Sequence, residues 1–240
     1  MSTVLAADGI SKSFGGLKAV DSVSFELAKG DIAALIGPNG AGKTTCFNLL
    51  GGALAADGGQ MRLGPTDITG WPPHRRARAG IGRTFQIAAT FRSMTALENA
   101  ETALMAADAA PENASNLLDD VGIGALADTP VTALAYGDVK RVELAMVLAS
   151  NPSLLLLDEP TAGMASNERL RIMELVTGLV RARGITVLFT EHDMDTVFGF
   201  ATRILAMDQG QLIADGTPEA VRADRRVQQI YLGETESGDA

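Results

Sequence analysis

In the first forty residues apolar and polar positions alternate with a period of two: Val23, Phe25 and Leu27 are interleaved with Ser22, Ser24 and Glu26. That pattern predicts a half-buried strand, closed by a turn at Lys29-Gly30. The next run, Ile32-Ala33-Ala34-Leu35-Ile36, is apolar without interruption and predicts a strand covered on both faces. It leads into Gly37-Pro38-Asn39-Gly40-Ala41-Gly42, after which Lys43 to Leu50 holds good helix formers with Phe47 and Leu50 three apart. The local order is strand, glycine loop, helix.

From about Thr90 to Ser150 the pattern changes to Ala-, Leu- and Glu-rich stretches, Ala96 to Ala107, Glu112 to Val121 and Val139 to Ala149, separated by Pro111, Gly122-Ile123-Gly124 and Pro130. This reads as a helical lobe, 90–150, inserted into a core made of 1–89 and 151–233. Beyond it, Leu154 to Leu157, Ile185 to Phe189 and Arg203 to Met207 are strand-like. Leu170, Met173, Val176, Leu179 and Val180 are expected to line one face of an intervening helix. Strands separated by helices at this spacing predict an α/β domain with a parallel sheet. Asp208-Gln209-Gly210 reads as a hairpin turn into Gln211 to Ala214, and the acidic residues 234–240 as a loose tail.

Composition narrows the function. With 240 residues, 46% hydrophobic and 20% charged, the chain can build one large core. Twenty basic against twenty-nine acidic side chains leave a formal charge of -9, which offers no general field for a phosphate backbone, so nucleic acid is excluded as a partner. The single cysteine, Cys46, cannot form an internal disulfide and reads as a small buried filler, in keeping with a reducing cytoplasm. No basic segment followed by an apolar stretch opens the chain, so no leader is expected. Apolar runs such as Leu154 to Leu157 fall well short of the ~20 residues that cross a bilayer. The basic run His74-Arg75-Arg76-Ala77-Arg78 reads as a solvated helix face.

Two segments carry chemistry. Gly37-Pro38-Asn39-Gly40-Ala41-Gly42-Lys43-Thr44 fits G-x-x-x-x-G-K-[ST], in which glycines let successive amides converge on a phosphate at a helix amino terminus. Lys43 adds a point charge at the β- and γ-phosphates, and the Thr44 hydroxyl is of the type that holds Mg²⁺. Leu154-Leu155-Leu156-Leu157-Asp158-Glu159-Pro160 puts two carboxylates at the carboxyl end of a buried strand, where open α/β sheets bind ligands. Asp158 is placed to reach a metal shell, and Glu159 to take a proton from an attacking water.

With these residues the chain resembles the ATP-binding cassette (ABC) ATPases that drive transporters, from about Val4 to Gly233. Seven ordered landmarks carry the resemblance: Phe14 with Val20, the phosphate loop, Gln86, Leu134-Ala135-Tyr136-Gly137-Asp138, Asp158-Glu159, Ala162-Gly163-Met164-Ala165 and His192. It implies a P-loop NTPase with a RecA-like core, an antiparallel β subdomain and an inserted α-helical subdomain. It also implies MgATP hydrolysis by Glu159, His192, Gln86 and Lys43. Phe14 and Val20 would meet the base, and Asn39, Gly40, Ala41, Gly42, Lys43, Thr44 and Thr45 the phosphates. Thr44, Gln86 and Asp158 would hold Mg²⁺. Tyr136 and Gly137, at a helix amino terminus, would reach the ATP of a second, head-to-tail cassette. A separate membrane permease and, indirectly, a periplasmic solute-binding protein are the further partners implied, at the cytoplasmic face of the inner membrane.

The chain departs from most family signatures. Ala135 stands for serine, Tyr136 for glycine and Asp138 for glutamine, while Ala165 replaces the aspartate that ends the loop after Glu159. Loss of the serine contact removes about 1.5–3 kcal/mol of charged hydrogen bonding, so slower turnover is expected. Thr161 to Ala165, Thr190-Glu191-His192-Asp193-Met194, Arg83-Thr84-Phe85-Gln86 and Gly216-Thr217-Pro218-Glu219 through Tyr231-Leu232-Gly233-Glu234 are similar to the ATPases of branched-chain amino-acid importers. A lipid exporter or extraction ATPase, a soluble cassette ATPase without a permease, and a weakly hydrolysing regulator are the competing readings.

Overall fold

The structure is a computed structural model, and it describes residues 2–232. Strands β1 (Thr3–Phe14), β2 (Leu17–Ala28) and β3 (Ile32–Ile36) are followed by α1 (Lys43–Gly51), β4 (Gly58–Leu63), β5 (Thr66–Asp67), α2 (Pro73–Arg78) and β6 (Ile81–Arg83). Helices α3 (Ala96–Ala106), α4 (Ala114–Asp120) and α5 (Tyr136–Leu148) come next. Then β7 (Leu154–Asp158), α6 (Ser166–Arg183), β8 (Thr186–Thr190), α7 (Met194–Phe200), β9 (Arg203–Asp208) and β10 (Gln211–Gly216) lead to α8 (Pro218–Ala223) and α9 (Arg225–Leu232).

Two sheets result. An antiparallel sheet has the order β2-β1-β4-β5, and a six-stranded sheet has the order β10-β9-β3-β8-β7-β6, parallel from β9 to β6 with β10 antiparallel at one edge. The unbroken apolar strands are explained by what covers the second sheet. Ile32, Ala34 and Ile36 of β3 with Leu155 and Leu157 of β7 face a core built with α3 to α6, whereas Ala33, Leu35, Leu154 and Leu156 face a core shared with the antiparallel sheet and α1. Because side chains alternate across a strand, both faces must be apolar when both are covered.

Helix α1 lies between the two sheets, burying Cys46, Phe47, Leu49 and Leu50. Burial pushes the Cys46 thiol up to about 12, so it is an inert filler. Helix α3 starts at a reciprocal cap: Thr95 Oγ1 accepts from the Glu98 N–H (3.2 Å) and Glu98 Oε2 accepts from the Thr95 N–H (2.7 Å). No helix among the described residues is long and apolar enough to cross a membrane. The acidic tail expected at 234–240 lies outside the described residues.

Two expectations are corrected. Leu170 is half exposed, and Ile172 takes the inward position on α6 beside Met173, Val176, Leu179 and Val180. The run 74–78 is not wholly solvated. Arg76 is 1% exposed, and its guanidinium donates to the carbonyls of Leu49 (2.6 Å), Leu50 (2.6 Å), Trp71 (3.0 Å) and Thr69 (3.0 Å). Only one residue of a short helix can point at the core here, and the last turn of α1, which has no basic residue of its own, supplies acceptors that favour a cation.

Candidate active site

The phosphate loop joins β3 to the amino terminus of α1. Gly42 caps the helix with φ 101, and a Cβ there would run into the Ala19 carbonyl, so the close pass of β2 over the loop requires glycine. No acidic side chain sits in the first turn of α1. Its free amides and dipole therefore suit an anion. Lys43 Nζ donates to the carbonyls of Gly37 (2.5 Å) and Pro38 (3.0 Å), bridging the loop. Burial lowers the Lys43 pKa, and the carboxylates of Glu159 and Asp158 oppose that shift.

The carboxylates arrive from β7, the neighbour but one of β3 in the sheet. Asp158 Oδ1 accepts from the Thr190 hydroxyl (2.9 Å), and its Oδ2 lies 3.8 Å from Arg83 of β6. Thr190 Oγ1 in turn accepts from the Glu159 N–H (3.0 Å). Glu159 has φ 48, a left-handed conformation that costs a non-glycine residue energy and is held here by its neighbours. Its carboxylate is bracketed: Gln86 Nε2 donates to Oε2 (3.0 Å), and His192 Nε2 lies 2.8 Å from Oε1.

The phosphate loop, Glu159 and His192 face one cleft of about 720 Å³, lined also by Lys18, Ala19 and Gln209 among others. The structure therefore brings together Asn39, Gly40, Ala41, Gly42, Lys43, Thr44, Thr45, Glu159 and His192, with Gln86 bonded to Glu159 and Asp158 below. Phe14 is 48% exposed at the end of β1 and is not among the lining residues. Val20, expected near the base, is fully buried in the core and backs the wall formed by Leu17 to Ala19 instead of lining it.

Tyr136 and Gly137 stand apart from this cleft, at the amino terminus of α5. Ala135 is the cap residue and makes no side-chain bond there; its carbonyl takes the N–H groups of Asp138 and Val139, which leaves those of Tyr136 and Gly137 for another acceptor. Tyr136 is 47% exposed, and Glu168 of α6 packs so close over Gly137 that a Cβ would collide with it. Each chain thus presents a phosphate-loop cleft and, elsewhere, a helix amino terminus without a side-chain cap, flanked by Asp138 and the Glu168 carboxylate.

Residues 20–162 match the family model of ABC transporters. The chain belongs to the ABC transporter ATP-binding family. A second model, the branched-chain amino acid ATP-binding cassette transporter, matches residues 211–237. The ABC chain is 39% identical to the high-affinity branched-chain amino acid transport ATP-binding protein LivG of Salmonella typhimurium, over 96% of this chain and 98% of that protein. It is 38% identical to the lipopolysaccharide export system ATP-binding protein LptB of Acidithiobacillus ferridurans, over 98% of each. Among solved structures, the ADP conformation of an ATP-binding cassette of an ABC transporter superposes with a TM-score of 0.88 at 33% identity, covering 97% of this chain and all of that one. The protein is an ABC ATP-binding subunit related to those of branched-chain amino-acid transporters.

Sequence reasoning missed Thr190, Lys140 and Glu143. Thr190 ends an apolar strand and reads as a β-branched residue, yet its hydroxyl is the link between the two acids. Lys140 and Glu143 are buried on α5 behind the Gln86 loop. Opposite charges three apart on a helix that must pack on its neighbours were the available signal.

Proposed function

We propose that the chain hydrolyses ATP as one of two cassettes on a membrane permease and powers uptake of branched-chain amino acids or related small solutes. The observation that carries the hydrolytic part is the Glu159 carboxylate, bracketed by Gln86 and His192 on the open side of a phosphate loop. In this reading the loop amides and Lys43 hold the β- and γ-phosphates. Glu159 takes a proton as a water oxygen bonds to the γ-phosphorus; the bond from that phosphorus to the bridging oxygen breaks, giving ADP and phosphate. His192 and Gln86 fix the carboxylate for that proton.

The donor set, the Thr44 hydroxyl, the Gln86 amide and the Asp158 carboxylate, is made of hard oxygens and suits Mg²⁺. When bound, the ion would neutralise phosphate charge. The uncapped amides of Tyr136 and Gly137 at the start of α5 support a composite site, in which these residues of one cassette would meet the γ-phosphate held by the other.

A cavity of about 730 Å³ between the core and helices α3 and α5, lined by Arg78, Phe91, Ala103, Met146 and Val147 among others, supports docking of a permease segment at the cytoplasmic side of the membrane. The cargo reading rests on the match at residues 211–237. The relatives of the lipopolysaccharide export system favour lipid extraction as the second reading. A strain carrying Glu159→Gln at the native locus is expected to lose uptake of labelled leucine with its outer-membrane barrier intact. Unchanged uptake with a leaking barrier would favour lipid export.

A further outcome follows from Thr190. Thr190→Val keeps shape but leaves the Glu159 N–H without its acceptor and removes a donor from Asp158, a buried loss of about 1–3 kcal/mol. The expected result is a kcat lowered about tenfold or more at unchanged ATP affinity. A wild-type kcat would show that Glu159 is fixed without this hydroxyl.

A further inference from the structure

Helix α5 carries one charged pair that points inward. Lys140 is 6% exposed and Glu143 is 2% exposed, and buried charges persist only with partners at hand. Those partners are the backbone of the segment that carries Gln86. Lys140 Nζ donates to the carbonyls of Phe85 (2.7 Å) and Gln86 (2.9 Å), and it lies 3.4 Å from Glu143 Oε2. Glu143 Oε1 accepts from the N–H groups of Phe85 (3.1 Å) and Ala89 (3.1 Å).

One i,i+3 pair thus holds the backbone on both sides of the side chain that bonds Glu159. Glu143 also lines the cavity between the core and the helices, beside Ala89 and Phe91. The helix that holds this pair begins at Tyr136 and Gly137. A shift of α5 therefore either carries the Gln86 loop with it or leaves a buried ammonium and carboxylate short of partners, which is strongly unfavourable.

We propose that Lys140 and Glu143 are positioning residues that set the aim of Gln86 on Glu159 according to where α5 and its lobe sit. The inference rests on the hydrolytic reading above and deepens it.

A double-mutant cycle on the full chain tests it, with ATP binding, kcat and thermal melting measured for wild type, Glu143→Gln, Gln86→Ala and the double variant. Glu143→Gln removes the charge while keeping the side-chain shape. It is expected to lower kcat about tenfold with KM changed less than about twofold, and to lower it less than about twofold once Gln86 is alanine. Equal fractional losses in both backgrounds, or a wild-type kcat for Glu143→Gln, would overturn the proposal. If Glu143→Gln loses its fold, Lys140→Met carries the same cycle and the same expectations. A wild-type chain that binds ATP without releasing phosphate would instead refute the hydrolytic reading itself, and so the two failures are distinguishable.

Discussion

After incubation with MgATP, Glu159→Gln protein is expected to yield ATP as its bound nucleotide where the wild type yields ADP. The substitution keeps the size of the side chain and an amide able to meet Gln86 and His192, so the cleft keeps its shape and the phosphate loop is untouched. What it removes is a group able to accept the water proton. General-base assistance contributes about 10²–10⁴ in rate, so turnover should fall at least about a hundredfold while ATP binding changes little. Chromatography of nucleotide extracted from the washed protein reads the outcome. ADP in both samples would mean that another group takes the proton.

The second large effect is on stability. Arg76→Met is expected to lower the melting temperature by about 6–12 °C, corresponding to a loss of about 3 kcal/mol or more for a chain of this size. The guanidinium satisfies four carbonyls from two segments, the end of α1 and the loop holding Thr69 and Trp71, and each charged hydrogen bond is worth about 1.5–3 kcal/mol without full additivity. Methionine fills the stem volume and donates nothing. Burial brings the Arg76 pKa down to about 10, so the group stays a cation at neutral pH and complements the carboxyl end of the α1 dipole. Because α1 holds the phosphate loop at its other end, the variant is also expected to bind ATP more weakly near its melting temperature than far below it. A melting temperature within about 2 °C of wild type would show that water reaches those carbonyls.

How far the sequence revealed the molecule can be read from individual residues. The strands of the main sheet were legible because burial on both faces leaves uninterrupted apolar runs, as at Ile32–Ile36 and Leu154–Leu157. The phosphate loop was legible because its glycines are demanded by backbone contacts such as Gly42 against Ala19. What local pattern hid was long-range pairing of polar groups. Arg76 sits in a basic run and reads as solvated until α1, about 25 residues earlier, is found ending beneath it. Thr190 reads as a strand residue until β7 and β8 are paired, which places its hydroxyl between Asp158 and Glu159. Leu170 was misplaced by its apolar character alone: at about 100° per residue the arc through Met173, Val176, Leu179 and Val180 takes in Ile172 and leaves Leu170 outside it, half exposed.

The departures from most family signatures have a structural reading too. Ala135 leaves the amino terminus of α5 without a side-chain cap, and Tyr136 is exposed directly beside it, so contact with an anion there would be made by amides with an aromatic ring adjacent. Ala165 caps α6 without a side-chain bond, while Arg169 donates to the Met164 carbonyl (3.1 Å) and pairs with Asp193. The loop after Glu159 is further tied to the His192 segment by Glu191, whose Oε1 accepts from both the N–H (2.9 Å) and the hydroxyl (2.7 Å) of Thr161. The loop after Glu159 and the His192 segment are thus tied to each other without an aspartate at position 165.

The central claim is that one cleft both holds ATP and cleaves it, through Lys43 and Glu159. The most direct measurement is the initial rate of phosphate release from MgATP by the wild-type chain, Lys43→Met and Glu159→Gln, at nucleotide concentrations that saturate the wild type. Steady release by the wild type is expected, with at least about a hundredfold less from either variant. Release by either variant at the wild-type rate would contradict the claim.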